Sequence, residues 1–182
     1  MTAQVSENFW NSAGPVQNST AIVVFLGMVT VVGSALGFEH IGGYAPCALC
    51  LEQRNPYYWG IPIIAVGTVS AFLKWPACLT RGALAIAFLC LMATALIGAY
   101  HAGVEWGFWA GPESCVAGLS ATSSDAGSLL DSLSNSKPPS CADAAGRFLG
   151  ISFAGWNVLA AGALAMIAYR GAFGSTHREK QH

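Results

Sequence analysis

Of 182 residues, 54 % are hydrophobic and only 9 % carry a charge, with a formal net charge of −1. Soluble domains are roughly 25 % charged, so this chain cannot cover a water-facing surface in the ordinary way. It also lacks the clustered Lys and Arg that nucleic acid binding demands, and its length suits a single domain.

In chain order, a tail over residues 1–19 holds no Lys or Arg. A secretory signal peptide needs a positively charged leading region, so the apolar stretch that follows, about 20–38, is expected to stay in the chain as a helix. A loop over 39–56 carries Cys47 and Cys50, and a second apolar stretch spans about 57–73. A short turn from Lys74 to Arg81 leads to a third stretch at about 82–100. The long loop 101–147 carries Cys115 and Cys141; within it Leu129, Leu130 and Leu133 could form a short amphipathic turn on a membrane surface. The fourth stretch covers about 148–169, and a polar tail follows over 171–182.

None of the four stretches contains Asp, Glu, Lys or Arg. Each approaches the roughly 20 residues that a helix needs to cross a bilayer. A spanning backbone must satisfy its own hydrogen bonds, which selects helix over open strand. Small residues such as Ala161, Gly162 and Ala163 let such helices approach closely. The expected fold is therefore all-α: a four-transmembrane-helix bundle over residues 20–170 with two outward loops. The alternative is a soluble bundle of buried helices. Lys74, Arg81, Arg170, Arg178 and Lys180 outnumber Arg54, Lys137 and Arg147, so the positive-inside rule puts both termini and the short turn in the cytoplasm. Cys47, Cys50, Cys115 and Cys141 then all face outward, where disulfides persist. Cys78 and Cys90 read as ordinary free cysteines.

Cys47-Ala48-Leu49-Cys50 is the strongest local signal. This spacing can close a small disulfide ring, and it depresses a thiol pKa. It lies just before the second apolar stretch, where a helix N-terminus favours an anion. Arg54 follows one helical turn later and could hold a thiolate or a developing oxyanion. Pro56 implies either that the helix begins near it or that it lies in the first turn. Cys115 and Cys141, if bonded, close a long exposed loop that an incoming thiolate could attack, or they simply staple it. His101, on the outward side, could donate to a bound carbonyl or be a plain interfacial residue. Glu105-Trp106-Gly107-Phe108-Trp109 reads as an aromatic belt at the membrane surface. Two other classes stay open: a structural bundle with disulfide staples, and a tetrahedral zinc site built from the four outward cysteines. An oxidising compartment disfavours four free thiolates, and no metal is expected.

Pro46-Cys47-Ala48-Leu49-Cys50-Leu51-Glu52-Gln53-Arg54 resembles the signature of the DsbB family, disulfide bond formation protein B. Phe38-Glu39-His40, Tyr100-His101, the second cysteine pair and Phe148-Leu149-Gly150 followed by Trp156 are similar to further parts of the family pattern. The resemblance implies a thiol oxidase of the bacterial inner membrane. Such proteins reoxidise a soluble thioredoxin-fold dithiol oxidase, DsbA-like, and pass its electrons to ubiquinone or menaquinone. It implies that Cys115 forms the mixed disulfide with the partner and Cys141 is its mate. It implies that Cys47 and Cys50 are the quinone-linked pair, with Cys50 at the quinone ring and Arg54 and His101 lining the quinone site. The stretch between Cys115 and Cys141 departs from the family pattern, as does Pro56.

Overall fold

The structure, a computed structural model, describes residues 14–112, 115 and 140–174; Leu129, Leu130 and Leu133 lie outside that set. Four helices carry the described fold: α1 (Pro15–His40), α2 (Ala48–Phe72), α3 (Ala77–Glu105) and α4 (Phe153–Phe173). Two short strands, β1 (Arg147–Phe148) and β2 (Ile151–Ser152), pair antiparallel just before α4.

Each helix extends past or starts apart from its apolar stretch for a local reason. Pro15 opens α1, where its missing N–H costs nothing, and the Gln17 side chain accepts from the Gly14 N–H. Helix α2 begins at Ala48, well ahead of its apolar stretch, because the Cys47 sulfur caps it by accepting from the Cys50 N–H at 3.3 Å. Pro56 therefore sits neither at the start of the helix nor in its first turn. It lies inside α2, as does Pro62, and each removes one helical N–H.

The chain before α4 also differs from expectation. Phe148 begins no helix; it pairs with Ile151 in a hairpin whose turn residues, Leu149 and Gly150, both have positive φ (52° and 82°). Two left-handed residues make the turn whose twist matches a hairpin. Ser152 then caps α4 by accepting from the Gly155 N–H at 3.2 Å.

The core is built from small and branched side chains: Ala21, Val24 and Met28 of α1, Ile64 of α2, Leu84, Ala87 and Leu91 of α3, and Ala161, Ala165 and Ala168 of α4. Outward lie Val23, Leu26, Val66, Leu89, Leu96 and Met166, all exposed. An apolar exterior of this extent suits lipid, not water. Helices α1 and α3 are long and apolar enough to cross a membrane, and only 22 % and 33 % of their most apolar windows are buried, unlike the core helix of a soluble protein.

Close approach of α2 and α3 depends on Gly67, where a Cβ would collide with the Cβ of Ala83. At the same level the Ser70 and Thr80 hydroxyls lie 2.9 Å apart and both donate to the Gly67 carbonyl. Gly67→Val is expected to lower stability by about 1–3 kcal/mol, the usual cost of overpacking. Gly33→Ala, which meets nothing within 4 Å, is expected to be neutral or mildly stabilising. Thermal unfolding of both variants in one detergent checks this; equal midpoints would refute close packing at Gly67.

Candidate redox site

Cys47 and Cys50 occupy the N-cap and first turn of α2, ahead of its apolar span, as thiols with sulfurs 2.9 Å apart. Spacing of three residues at a helix start brings both sulfurs to one side of the turn. Cys115 and Cys141 are joined by a disulfide. That bond takes two cysteines out of any four-thiolate metal set; among the described residues, Cys47, Cys50 and His101 bring their donor atoms within 4.8 Å of one another.

The two pairs are neighbours. Cys47, Leu49, Val104 and Cys141 form one buried cluster, with Cys50 and Cys115 against it. The second loop thus returns its disulfide to the start of α2 and the end of α3.

On the other side of the pair lies a partly open cavity of about 300 Å³ between α1, α2 and α4. Its walls are mainly apolar, with Val31, Ala35, Phe38, Phe153 and Ala160 among them. Cys50, Gln53, Arg54, Tyr57 and Asn157 supply polar groups. Cys50 and Arg54 both line the cavity, one helical turn apart; Cys47 does not. Arg54 donates to the Glu39 carboxylate at the end of α1. That hydrogen bond, aided by the same positive charge, holds the Glu39 carboxyl below its ordinary range although desolvation opposes the shift.

His101 approaches the pair from α3. It is absent from the cavity wall and buried behind the cysteine pair, with Nε2 3.6 Å from the Cys47 sulfur. Its Nδ1 meets the Gln53 amide at 2.7 Å. Glu105 is no surface residue of an aromatic belt: its side chain is 4 % exposed, one turn beyond His101, with Oε1 3.7 Å from Nε2. The other carboxylate oxygen of Glu105 is buried and has no hydrogen-bond partner among the described residues. In the sequence Gln53 and Glu105 were given no role at the site, and Asn157 went unread. Asn157 left a signal, an amide inside an apolar stretch, since polar groups at membrane depth are costly and usually serve a purpose.

Within the pair the anion is favoured on Cys47. Cys47 titrates well below an ordinary thiol because Cys50 donates a hydrogen bond to it; His101 and the Cys50 backbone N–H add to the effect against the cost of burial. Cys50 is pushed up, first by that same bond to Cys47 and then by burial. The reduced protein is therefore expected to keep one thiolate, on Cys47, in mildly acid solution and to lose it only as the pH falls through the lowered value. Cys50→Ala should raise the Cys47 midpoint more than His101→Phe does, because the Cys50 hydrogen bond is the largest cause. Ultraviolet thiolate absorbance against pH reads this directly; an ordinary alkaline midpoint in the wild type would contradict it.

Such a site, an N-capping thiolate pair beside a structurally joined disulfide in a mostly helical, lipid-suited scaffold, defines a membrane thiol–disulfide protein. The family profile of disulfide bond formation protein DsbB matches residues 17–170. Disulfide bond formation protein B of Saccharophagus degradans is 34 % identical over 168 residues, which cover 86 % of this chain and 94 % of that protein. No solved structure matches. The chain belongs to the DsbB family, integral membrane proteins of disulfide bond formation.

Proposed function

We propose that this protein reoxidises a periplasmic, DsbA-like dithiol oxidase and passes the electrons through its two cysteine pairs to a membrane quinone, ubiquinone or menaquinone. One observation carries the reading: the Cys47–Cys50 pair lies between the cluster that holds the Cys115–Cys141 disulfide and an apolar cavity onto which Cys50 and Arg54 open. In this reading all four helices span the bacterial inner membrane, the termini are cytoplasmic, and both cysteine loops face the periplasm. The contact of His101, late in α3, with Cys47, at the start of α2, supports one common face for the chemistry.

The relay is a series of thiol–disulfide exchanges. A partner thiolate attacks the Cys115 sulfur, and Cys141 leaves as a thiolate. The second partner thiol closes the partner's own disulfide and releases Cys115. The two freed thiols then reduce the Cys47–Cys50 disulfide, and Cys115–Cys141 re-forms. The Cys47–Cys50 dithiol closes again by giving up two electrons and two protons; a quinone held beside Cys50 and Arg54 would supply the acceptor for both.

The cavity suits a flat apolar head group: it is small, and its few polar side chains include Arg54 beside Cys50. Arg54 sets a fixed positive charge where negative charge builds on the acceptor oxygen. Glu39 holds the guanidinium across from α1. Phe38, Tyr57 and Phe153 help keep water from that wall, which strengthens the charge interaction.

Replacing Cys47, Cys50, Cys115 or Cys141 by Ser is expected to abolish dithiol-dependent quinone reduction, followed by quinone absorbance under anaerobic conditions. Replacing Cys78 or Cys90 should leave most of it. Full turnover by Cys50→Ser would end the proposed relay. A Cys141→Ala variant should accumulate a covalent complex through Cys115 with a partner that lacks its own resolving cysteine, visible on non-reducing gels.

Arg54→Met should slow the quinone half-reaction by about 10²–10³-fold, the usual loss when a well-aimed donor to a developing oxyanion is removed. Exchange between the partner and Cys115 should change little. Measuring the two half-reactions separately decides the matter; a failed partner step with normal quinone reduction would move Arg54 to docking or folding.

A further inference from the structure

A chain of buried hydrogen bonds runs from the cavity wall to the Cys47 sulfur, and its direction is fixed at one end. The Thr94 hydroxyl donates its only proton to the Gln53 carbonyl at 2.6 Å. Its oxygen can then only accept. The group that faces it at 3.3 Å must be the Asn157 NH2, not the Asn157 carbonyl.

Every later assignment follows from that one. The Asn157 carbonyl accepts from the Tyr57 hydroxyl at 2.9 Å. The second Asn157 N–H goes to the Gln53 side-chain carbonyl at 2.8 Å. Gln53 must therefore point its NH2 at His101 Nδ1, 2.7 Å away. A ring nitrogen that receives an N–H carries no proton itself, so the imidazole proton sits on Nε2.

The far side of the ring reaches the same answer independently. His101 Nε2 faces the Cys47 sulfur at 3.6 Å and the Glu105 carboxylate at 3.7 Å. Both are acceptors when ionised, and the Glu105 side chain is almost wholly buried with one oxygen unpartnered among the described residues. A bare nitrogen lone pair aimed at two acceptors would repel both.

We propose that Asn157 and Gln53 are positioning residues that fix His101 as its Nε2–H tautomer and so make it a hydrogen-bond donor to the Cys47 sulfur. His101 then acts as an aimed donor to the thiolate, not as the base that removes its proton. The distant member, Asn157, acts through Gln53 and never touches the sulfur. Tyr57, Gln53 and Asn157 also line the cavity, so one hydrogen-bond chain joins the cavity wall to the cysteine that faces the other disulfide. The consequence for turnover rests on the redox role proposed above for Cys47 and Cys50; the tautomer itself does not.

The test uses the full-length reduced protein in detergent, labelled with 15N-histidine, without quinone or partner, so that it stands apart from the proposed reaction. The His101 signals are assigned by their loss in His101→Gln. Nitrogen NMR is expected to show a protonated Nε2 and an unprotonated Nδ1; the reverse tautomer overturns the proposal. Asn157→Asp supplies only acceptors at that position. Gln53 should then turn its NH2 toward the carboxylate and its carbonyl toward the ring, and the proton should move to Nδ1. The Cys47 thiol should become about tenfold less acidic as it loses a donor to its charged form. Among the described residues, the titratable groups around Cys47 are Cys50 on its own helix and His101 on α3, with Glu105 at the same ring nitrogen and Arg54 a turn beyond Cys50; the Cys115–Cys141 disulfide does not titrate. Asn157→Asp with an unchanged tautomer and an unchanged Cys47 titration would remove Asn157 from the positioning role. Should that variant fail to fold, the wild-type spectrum alone still decides the tautomer.

Discussion

The Gln53 side chain and carbonyl tie α2 to α3 and α4, and the site depends on that junction. Its amide reaches His101 of α3 and Asn157 of α4, and its backbone oxygen receives the Thr94 hydroxyl. A polar group cut off from water costs several kcal/mol unless it is paired. Each of these side chains therefore needs the others, and α2, α3 and α4 cannot slide or turn past one another without stranding one of them. The apolar core of Val24, Ile64, Leu84 and Ala165 gives contact but little register; the amide network supplies register where the cysteines need it.

That junction explains how a two-residue gap becomes a two-faced site. Cys47 caps α2 and turns to His101, Val104 and Cys141, while Cys50 in the first turn opens onto the cavity. The helix start does two things at once. Its free N–H groups and dipole favour a sulfur anion at Cys47, and its second turn carries Arg54 toward the same cavity as Cys50. Glu39 at the end of α1 meets that guanidinium. The ion pair bridges α1 and α2 at the cavity wall and keeps the positive charge from standing alone in apolar surroundings.

Proline in α2 shows how context overrides local preference. Pro56 disfavours helix in the residue before it, yet Asn55 is helical. The Cys47 cap starts the helix earlier, and the junction of Gln53 with α3 and α4 holds the turn that precedes the proline. Local restriction loses to several tertiary hydrogen bonds that act on the same few residues.

By itself the sequence determined the class of the protein and the spacing of its paired cysteines. Uncharged stretches of spanning length, the Cys47–Cys50 spacing and the second pair are one-dimensional patterns, and hydropathy, thiol chemistry and helix periodicity act on them locally. Arg54 was legible for the same reason, being one turn from Cys50. Tertiary structure alone decided what surrounds the sulfurs. The partners of Gln53 lie tens of residues away in the chain, at His101 and Asn157, and no periodicity links them. The burial of Glu105 and the turn of His101 away from the cavity depend on how α3 crosses the start of α2. The hairpin at Leu149 and Gly150 replaced the expected first turn of α4 because two adjacent left-handed residues reverse the chain before Ser152 can cap the helix. Hydrogen-bond direction is the most non-local of these properties: the proton on His101 is assigned through Gln53 and Asn157 from a hydroxyl at Thr94, and only packing brings those four side chains together.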